Sequence, residues 1–213
     1  MPTINYKRKN GERVSGTTTI ISQNLGWNKQ QLMWWANQEG LAGRNHRETA
    51  QRAADAGTIA HYLIECDIKG RDPDTSNVPI DLMMKADQCF ENYKHWKETV
   101  NFVMRDSELS LVSEKWGYGS TVDCIAVING KLCLFDWKSS NGVYADYLIQ
   151  IASYKTNYEE NTGDTIEGIY LLRIDKETAA WTFHYWQELP EAWEAFTHLL
   201  ALHNLSKTLK KAA

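Results

Sequence analysis

Apolar residues recur at intervals of three and four residues in several long stretches, which predicts amphipathic helices. The clearest stretch is 81–105. Helices are also predicted over 29–38, ending at Gly40, and over 46–68, ending at Gly70. Gly57 would mark a break or a close approach inside the second of these. Two more helices are predicted over 146–160 and from Pro190 onward. The residues expected to form the core side of 81–105 are Leu82, Ala86, Cys89, Tyr93, Trp96, Val100 and Val103.

A different periodicity, typical of strands, begins after residue 105. Leu109 and Leu111 alternate with polar residues, and the segments 121–128 and 131–137 are apolar and rich in β-branched or aromatic residues. Asn129-Gly130 between them predicts a type I′ hairpin turn. Two further strands are predicted over 166–174 and 179–186. Before the helices, residues 1–16 have the character of a hairpin or an arm, and 17–21 is a short β-branched run.

This order of elements predicts an α/β fold with a mixed central sheet flanked by helices. The length of 213 residues fits one domain, 1–213. Within it, 1–105 would be a mainly helical N-terminal part. Residues 106–213 would form the sheet and its flanking helices.

The charge of the chain excludes a simple coat for nucleic acid, because such proteins are usually basic and this one has a net charge of −4. Basic residues can still cluster on one face, or they can be ordinary solvated surface residues. Three groups could do so: Lys7, Arg8, Lys9 and Arg13; Arg44, Arg47 and Arg52; and Lys207, Lys210 and Lys211.

Neither a membrane protein nor a zinc ribbon is indicated. No apolar run reaches the length of a membrane span, and the start of the chain lacks the apolar segment of a signal peptide. We therefore expect a soluble, intracellular protein without a membrane partner. The four cysteines form no Cys-x-x-Cys pair, which favours buried free thiols.

The residues with the most informative chemistry are Asp136 and Lys138. On a strand they would point to one face, with Phe135 and Trp137 on the other. The hairpin would bring Asp123 near Asp136. Two carboxylates and an oxygen donor such as the Trp137 carbonyl suit Mg²⁺ or Mn²⁺, and His61 would add a nitrogen ligand that favours Mn²⁺. Asp136 and Lys138 alone could also be a surface ion pair.

The sequence motifs around Asp136 and Lys138 favour a metal site over a surface ion pair. Gly57 to His61 lies on a predicted helix, Asp123 precedes the hairpin, and Asp136-Trp137-Lys138-Ser139 ends its second strand. Gln150 and Tyr154 then lie four residues apart on one helix face. Together and in this order, these strings resemble the RecB-type branch of the PD-(D/E)xK nuclease superfamily over about residues 15–160. They are most similar to exonucleases of the mitochondrial genome-maintenance type and their phage-encoded relatives.

The resemblance implies a restriction-endonuclease-like core and a deoxyribonuclease with one or two Mg²⁺ or Mn²⁺ ions. His61, Asp123 and Asp136 would bind metal, with the Trp137 carbonyl as a further ligand, and Lys138 would be the catalytic lysine. Glu114 would match the strand glutamate of the family. Residues that would brace the site or contact DNA are Ser139, Gln150, Tyr154, Arg44 and Arg47.

The sequence departs from the family pattern at several points. Ser120 stands where a glycine often precedes the strand Asp, and Ala56 stands where an arginine commonly precedes the helix glycine. Some branches carry an iron–sulfur cluster on cysteines late in the chain. Because no cysteine follows Cys133, we expect no such cluster.

For the substrate, the resemblance implies exonuclease action on DNA with free ends in recombination, repair or phage DNA processing. A helicase or recombinase is a candidate partner, and the location would be cytoplasmic. Aromatic and basic residues in the N-terminal helices, including Trp27, Trp34 and Trp35, could stack unpaired bases, which favours single strands. A structure-specific endonuclease on the same site and a non-catalytic DNA-binding module are the alternatives.

Overall fold

Helices precede the first strand, as predicted, and one helix separates the third strand from the fourth. The computed structural model describes residues 4–27, 29–140, 142–175 and 181–212. The elements within these ranges are α1 Thr17–Asn24, α2 Lys29–Leu41, α3 His46–Ile68, α4 Ile80–Lys97, β1 Phe102–Ser113, β2 Tyr118–Ile128, β3 Lys131–Ser139, α5 Ala145–Thr162, β4 Gly168–Ile174, β5 Trp181–Trp186 and α6 Pro190–Ala212.

The five strands form one sheet in the order β1-β2-β3-β4-β5. All neighbours are antiparallel except β3 and β4, which are parallel and connected through α5. A parallel connection needs a crossover, and a helix is its usual form. The predicted mixed sheet flanked by helices is therefore confirmed.

The turn between β2 and β3 has the conformation that its sequence predicts. Asn129 and Gly130 have φ values of +52° and +83°. A type I′ turn requires φ > 0 at both central residues, and Asn-Gly tolerates this at low cost. The turn fixes the register of β2 against β3, which in turn decides which side chains face each other.

One face of the sheet is covered by α3 and α4. Ala86, Cys89, Tyr93 and Trp96 are spaced for one helix face, and all four lie in a core cluster with Phe135 and Trp137 of β3. The Trp96 and Phe135 rings stack with their centroids 4.6 Å apart. This packing fixes Phe135 and Trp137 on the α3/α4 face, so that Asp136 between them faces the other side.

The opposite face is covered by α5, which packs Ile151, Tyr154 and Tyr158 against the sheet. The N-terminal helix α1 and the C-terminal helix α6 lie beyond α5. Ile20 of α1 and Phe196 of α6 share a third cluster with residues of α5 and β2. The β-branched run 17–21 thus forms a helix, because burial of its isoleucines outweighs the strand preference of the sequence.

Two predicted helix boundaries are wrong. The helix predicted over 29–38 continues through Gly40 to Leu41, and the positive φ of +72° occurs at Gly43. The helix predicted over 81–105 ends at Lys97, since Phe102 already begins β1. Val103 is therefore an exposed strand residue rather than core. The helix predicted over 46–68 is confirmed with these bounds, and α3 continues through Gly57 without a break.

The predicted hairpin at the start of the chain is present. Lys7 and Arg13 form an antiparallel bridge around Gly11, whose φ is +85°. A hydrogen bond of 2.8 Å between the Tyr6 and Thr121 hydroxyl groups anchors this hairpin. The first part of the predicted strand 179–186 lies outside the described residues.

Two expectations from composition are tested by the structure. All four cysteines are buried free thiols, as predicted. None of the helices in the described ranges is long and apolar enough to cross a membrane.

Candidate active site

Two aspartates face each other where β2 and β3 separate. The last paired residues on this side of the ladder are Cys124 and Phe135, so the next opposed positions are Asp123 and Asp136. Opposed residues of antiparallel strands lie on the same face. Their carboxyl groups are joined by a hydrogen bond, and Asp123 also accepts one from the backbone N–H of Trp137. The predicted approach of the two carboxylates is therefore confirmed.

A third carboxylate extends this row on the other side of Asp123. Ser107 and Leu109 of β1 pair with the two neighbours of Asp123 on β2, which places Glu108 directly opposite Asp123. The carboxylates of Glu108, Asp123 and Asp136 thus form one row across three neighbouring strands. We call these three residues the acidic row.

The backbone of Glu108 is unusual, with a φ of +51°. Left-handed backbone is uncommon for residues other than Gly, and it costs free energy. The pairing of β1 with β2 shifts register between Met104 and Asp106, a few residues before this position. The unusual backbone of Glu108 therefore lies opposite Asp123, next to an irregular part of the strand.

Lys138 completes the charged group on the same face of β3. Its Nζ lies 2.9 Å from Oδ1 and 2.8 Å from Oδ2 of Asp136. The side chain of Asp136 is fully buried, and that of Lys138 is 14% exposed. The ammonium also lies 5.6 Å from the centroid of the Tyr147 ring. The Asp136–Lys138 pair is thus a buried site rather than the surface ion pair that was the alternative.

Burial and neighbouring charges shift the pKa values of all these groups. It raises the pKa of Asp123 and Asp136, and Lys138 offsets only part of this effect. Burial also raises the pKa of Glu108, and the neighbouring Glu65 carboxylate adds to that rise. Burial alone would lower the pKa of Lys138, but the Asp136 and Asp123 carboxylates outweigh it, so the lysine stays charged. Perturbed carboxyl pKa values in a cleft are typical of functional sites.

Two residues of the acidic row border a cavity of about 300 Å³. Asp123 and Glu108 line it together with His61 of α3 and Tyr154 of α5. The His61 ring lies edge-on to the Trp137 ring, with centroids 5.8 Å apart. Helix α3 therefore brings His61 to the same cavity, as the sequence predicted.

Gln150 and Tyr154 lie on the α5 side of the cavity. Gln150 Nε2 donates a hydrogen bond to the Tyr154 hydroxyl, as expected for residues four apart on one helix face. Burial raises the pKa of Tyr154, and the negative charges of Asp123 and Asp136 raise it further. Tyr154 therefore stays a neutral hydroxyl beside the acidic row.

Of the predicted site residues, His61, Asp123 and Tyr154 line this cavity, and four others show no contact with the cavity or the acidic row. Glu114 lies at the turn between β1 and β2, where it accepts a hydrogen bond of 2.7 Å from the backbone of Lys9 and pairs with Arg8. Arg44 is bound to Glu39, 2.8 Å away. The other two are Ser139, at the end of β3, and Arg47, about 21 Å along α3 from His61 at 1.5 Å per residue.

Glu108 is the site residue that sequence reasoning missed. The strand pairing across the turn after β1 would have identified it. Ser113 pairs with Tyr118 across this turn. Counting back five positions on one strand and forward five on the other places residue 108 opposite Asp123.

The donors at this site fit a divalent cation only in part. Oδ2 of Asp123 is buried without a hydrogen-bond partner, which suits a group that binds a cation. Carboxylate oxygens are the ligands that Mg²⁺ and Mn²⁺ prefer. Among the described residues, however, no three His, Cys, Asp or Glu side chains converge as a finished metal site. Asp136 is instead paired with Lys138, so a metal would have to share its oxygens.

Comparison with solved structures identifies the fold. A protein from Eubacterium rectale, named a putative exonuclease, aligns with a TM-score of 0.51 and 12% identity. The alignment covers 73% of this chain and 66% of that one. The two chains share a fold. The predicted restriction-endonuclease-like core is confirmed, and the resemblance to RecB-type exonucleases agrees with it at the level of the fold.

A second match is weaker. The alkaline exonuclease of Laribacter hongkongensis aligns with a TM-score of 0.36 and 14% identity over 77% of this chain and 93% of that one. The same enzyme in complex with dAMP aligns with a TM-score of 0.38. No protein-family model matches the sequence, and no curated protein matches it significantly.

Proposed function

We propose that this protein is a metal-dependent nuclease that hydrolyses the phosphodiester bonds of DNA. The observation that carries the proposal is the acidic row, with Lys138 paired to Asp136 at one end and a cavity lined by Glu108 and Asp123 at the other. Three carboxylates beside one buried ammonium can hold a cation and a phosphate side by side. The fold shared with the Eubacterium rectale protein supports the same reaction class.

Each residue of the site has a role in this proposal. Asp123 and Asp136 would hold the metal with the backbone carbonyl of Trp137, and His61 would supply a nitrogen ligand from α3. Glu108 takes the role that the family resemblance gave to Glu114, because Glu108 is the glutamate that lies beside Asp123.

The chemistry is divided between the cation and the lysine. A bound Mg²⁺ or Mn²⁺ supplies Lewis acidity, which polarises a phosphoryl oxygen and lowers the pKa of a water molecule. Lys138 orients the attacking water and offsets the negative charge that develops on the phosphate. Tyr154 accepts a hydrogen bond from Gln150, and its hydroxyl is a hydrogen-bond donor in the wall of the cavity.

We further propose that the enzyme is an exonuclease that prefers a single strand with a free end. Trp27 and Trp34 are 68% and 66% exposed in the N-terminal helical part, where unpaired bases could stack on them. Such an enzyme would act in recombination, repair or phage DNA processing, together with a helicase or a recombinase.

We expect DNA cleavage to require a divalent cation. Exhaustive chelation should remove activity, because the acidic row alone repels a phosphate. Adding Mg²⁺ or Mn²⁺ should restore it, as measured by release of nucleotides from end-labelled DNA. Full activity in the chelator would contradict the proposed chemistry.

The affinity for the cation should rise with pH. A protonated carboxyl group is a poor ligand, and burial raises the pKa of all three carboxyls of the acidic row. The rise in Tm caused by Mn²⁺ should therefore grow between about pH 5 and about pH 8. Asp136→Asn should remove most of the Mn²⁺-induced rise in Tm at every pH.

Without metal the same carboxyls have the opposite effect on stability. Because their folded-state pKa is raised, they favour folding fully below their unfolded pKa of about 4 and lose that contribution as pH rises through the folded value. In chelator, Tm should thus fall over the pH range in which the Mn²⁺ effect grows. A metal effect independent of pH would argue against ligation by the acidic row.

The need for a free end is tested with two forms of one single-stranded DNA. The linear form should be degraded, and the covalently closed circle should resist. Linear duplex DNA of the same sequence serves to measure strand preference. Equal degradation of circle and linear strand would replace the exonuclease by an endonuclease on the same site.

A further inference from the structure

The fold brings together two basic segments that are almost 200 residues apart in the sequence. Lys207 of α6 lies with its Nζ 3.1 Å from the hydroxyl of Ser15, the residue that follows the N-terminal hairpin. His203, one turn earlier on α6, binds the same hydroxyl at 2.8 Å. Burial lowers the pKa of His203, and the charges of Lys207 and Lys210 lower it further. Lys210 follows Lys207 by about one turn of α6.

The hairpin side of the junction carries an unfavourable pair of charges. Lys7 and Arg13 are directly opposite each other on its two strands. Like charges in this arrangement repel and destabilise a strand pair. Both side chains are exposed, and within the described parts of the chain neither is paired with a carboxylate. An anionic ligand would relieve this repulsion.

The local charge opposes that of the whole protein. The segments 7–13 and 207–211 contain seven of the 23 Lys and Arg residues but one of the 27 acidic residues, Glu12. Glu12 and, from the β1–β2 turn, Glu114 are the acidic residues in contact with the hairpin, and both are already paired with Arg8. A chain with a net charge of −4 thus presents a strongly positive surface at this place.

This surface borders the cavity of the candidate active site. Ile4 and Tyr6 of the hairpin line the cavity, and so does Gly16, the neighbour of Ser15. Lys7 follows Tyr6 directly, and Lys207 contacts Ser15. Lys7 thus comes from backbone that borders the cavity, and Lys207 contacts the residue next to its wall.

We propose that Lys7, Arg13, Lys207 and Lys210 form a basic rim that binds backbone phosphates of the DNA strand entering the cavity. The proposal rests on the proposed nuclease function and names the surface that receives the substrate. Phosphates are the partner that fits, because the rim offers several exposed cationic side chains. Contacts of this kind bind without reading sequence.

Salt dependence of binding measures such contacts directly. Each phosphate neutralised on a single strand contributes about 0.7 to the slope of log affinity against log salt concentration. A rim variant, Lys7→Gln with Lys207→Gln, should lower the magnitude of the slope by about 1.4. The matched control is Lys85→Gln with Lys131→Gln, which removes two exposed lysines from α4 and the β2–β3 turn.

The experiment uses a fluorescent single-stranded oligonucleotide, with divalent cations chelated so that no strand is cut. The control pair should keep the slope of the unsubstituted protein. Equal slopes for the rim and control variants would overturn the rim, as would failure of the unsubstituted protein to bind the oligonucleotide. Binding with the expected slopes, but no cleavage on adding metal, would refute the nuclease and leave the rim standing.

Discussion

Replacing Lys138 by Ala should reduce DNA cleavage by about a hundredfold or more, the usual loss when one electrostatic stabiliser of a transition state is removed. The ammonium is held 2.8 Å from Asp136 in a buried site, so no water can replace its charge at the same position. Turnover on end-labelled single-stranded DNA measures the effect. Binding of Mn²⁺ should persist at about pH 8, since the acidic row remains.

Lys155→Ala is the matched control for this variant. Its side chain is 13% exposed and pairs with Glu159 at 2.8 Å, so it resembles Lys138 in burial and pairing. Lys155 differs from Lys138 in its partners, which are Glu159 and Glu188 and not a residue of the acidic row. Cleavage by this control should stay near that of the unsubstituted protein. Near-normal turnover of Lys138→Ala, or an equal loss in both variants, would remove Lys138 from the proposed mechanism.

The approach of Asp123, Asp136 and Lys138 could be predicted because it depends on local rules alone. Alternation along β3 places Asp136 and Lys138 on one face. The Asn129-Gly130 turn then fixes the register that brings Asp123 opposite Asp136. Both rules act over a few residues, and the structure confirms both.

The local sequence is insufficient where distant parts of the chain decide the outcome. No element is predicted for the β-branched run 17–21, which becomes α1 because Ile20 packs with α6. The helix predicted to residue 105 ends at Lys97, since Phe102 onward pairs with β2. Periodicity cannot distinguish these cases, because apolar residues can serve either element.

Arg44 and Arg47 show a related limit. Both lie in or next to the first turn of α3, the helix that carries His61. Because α3 is long, its first turn is far from His61. Arg44 is occupied by Glu39 at the start of that helix. Lys207, at the other end of the chain, comes closer to the cavity wall through Ser15. Proximity to the site could not be predicted from position along the chain.

The second large loss of cleavage is expected at Glu108, which takes the role that the family resemblance implies for Glu114. Glu108→Gln should lower cleavage on the order of a hundredfold, because the amide keeps the shape but not the charge of a residue beside Asp123. It should not unfold the protein, because burial already raises the pKa of Glu108 and the loss of that desolvated charge favours folding. Turnover and Tm are measured on the same preparation.

Glu114→Gln is the control with the same chemical change at the other candidate. Glu114 pairs with Arg8 at 3.4 Å and is partly exposed, so its loss should cost at most about 1 kcal/mol of stability. Cleavage should change little, because Glu114 lies at the β1–β2 turn and not in the cavity. If Glu114→Gln were the inactive variant and Glu108→Gln the active one, the acidic row would not be the catalytic carboxylate set.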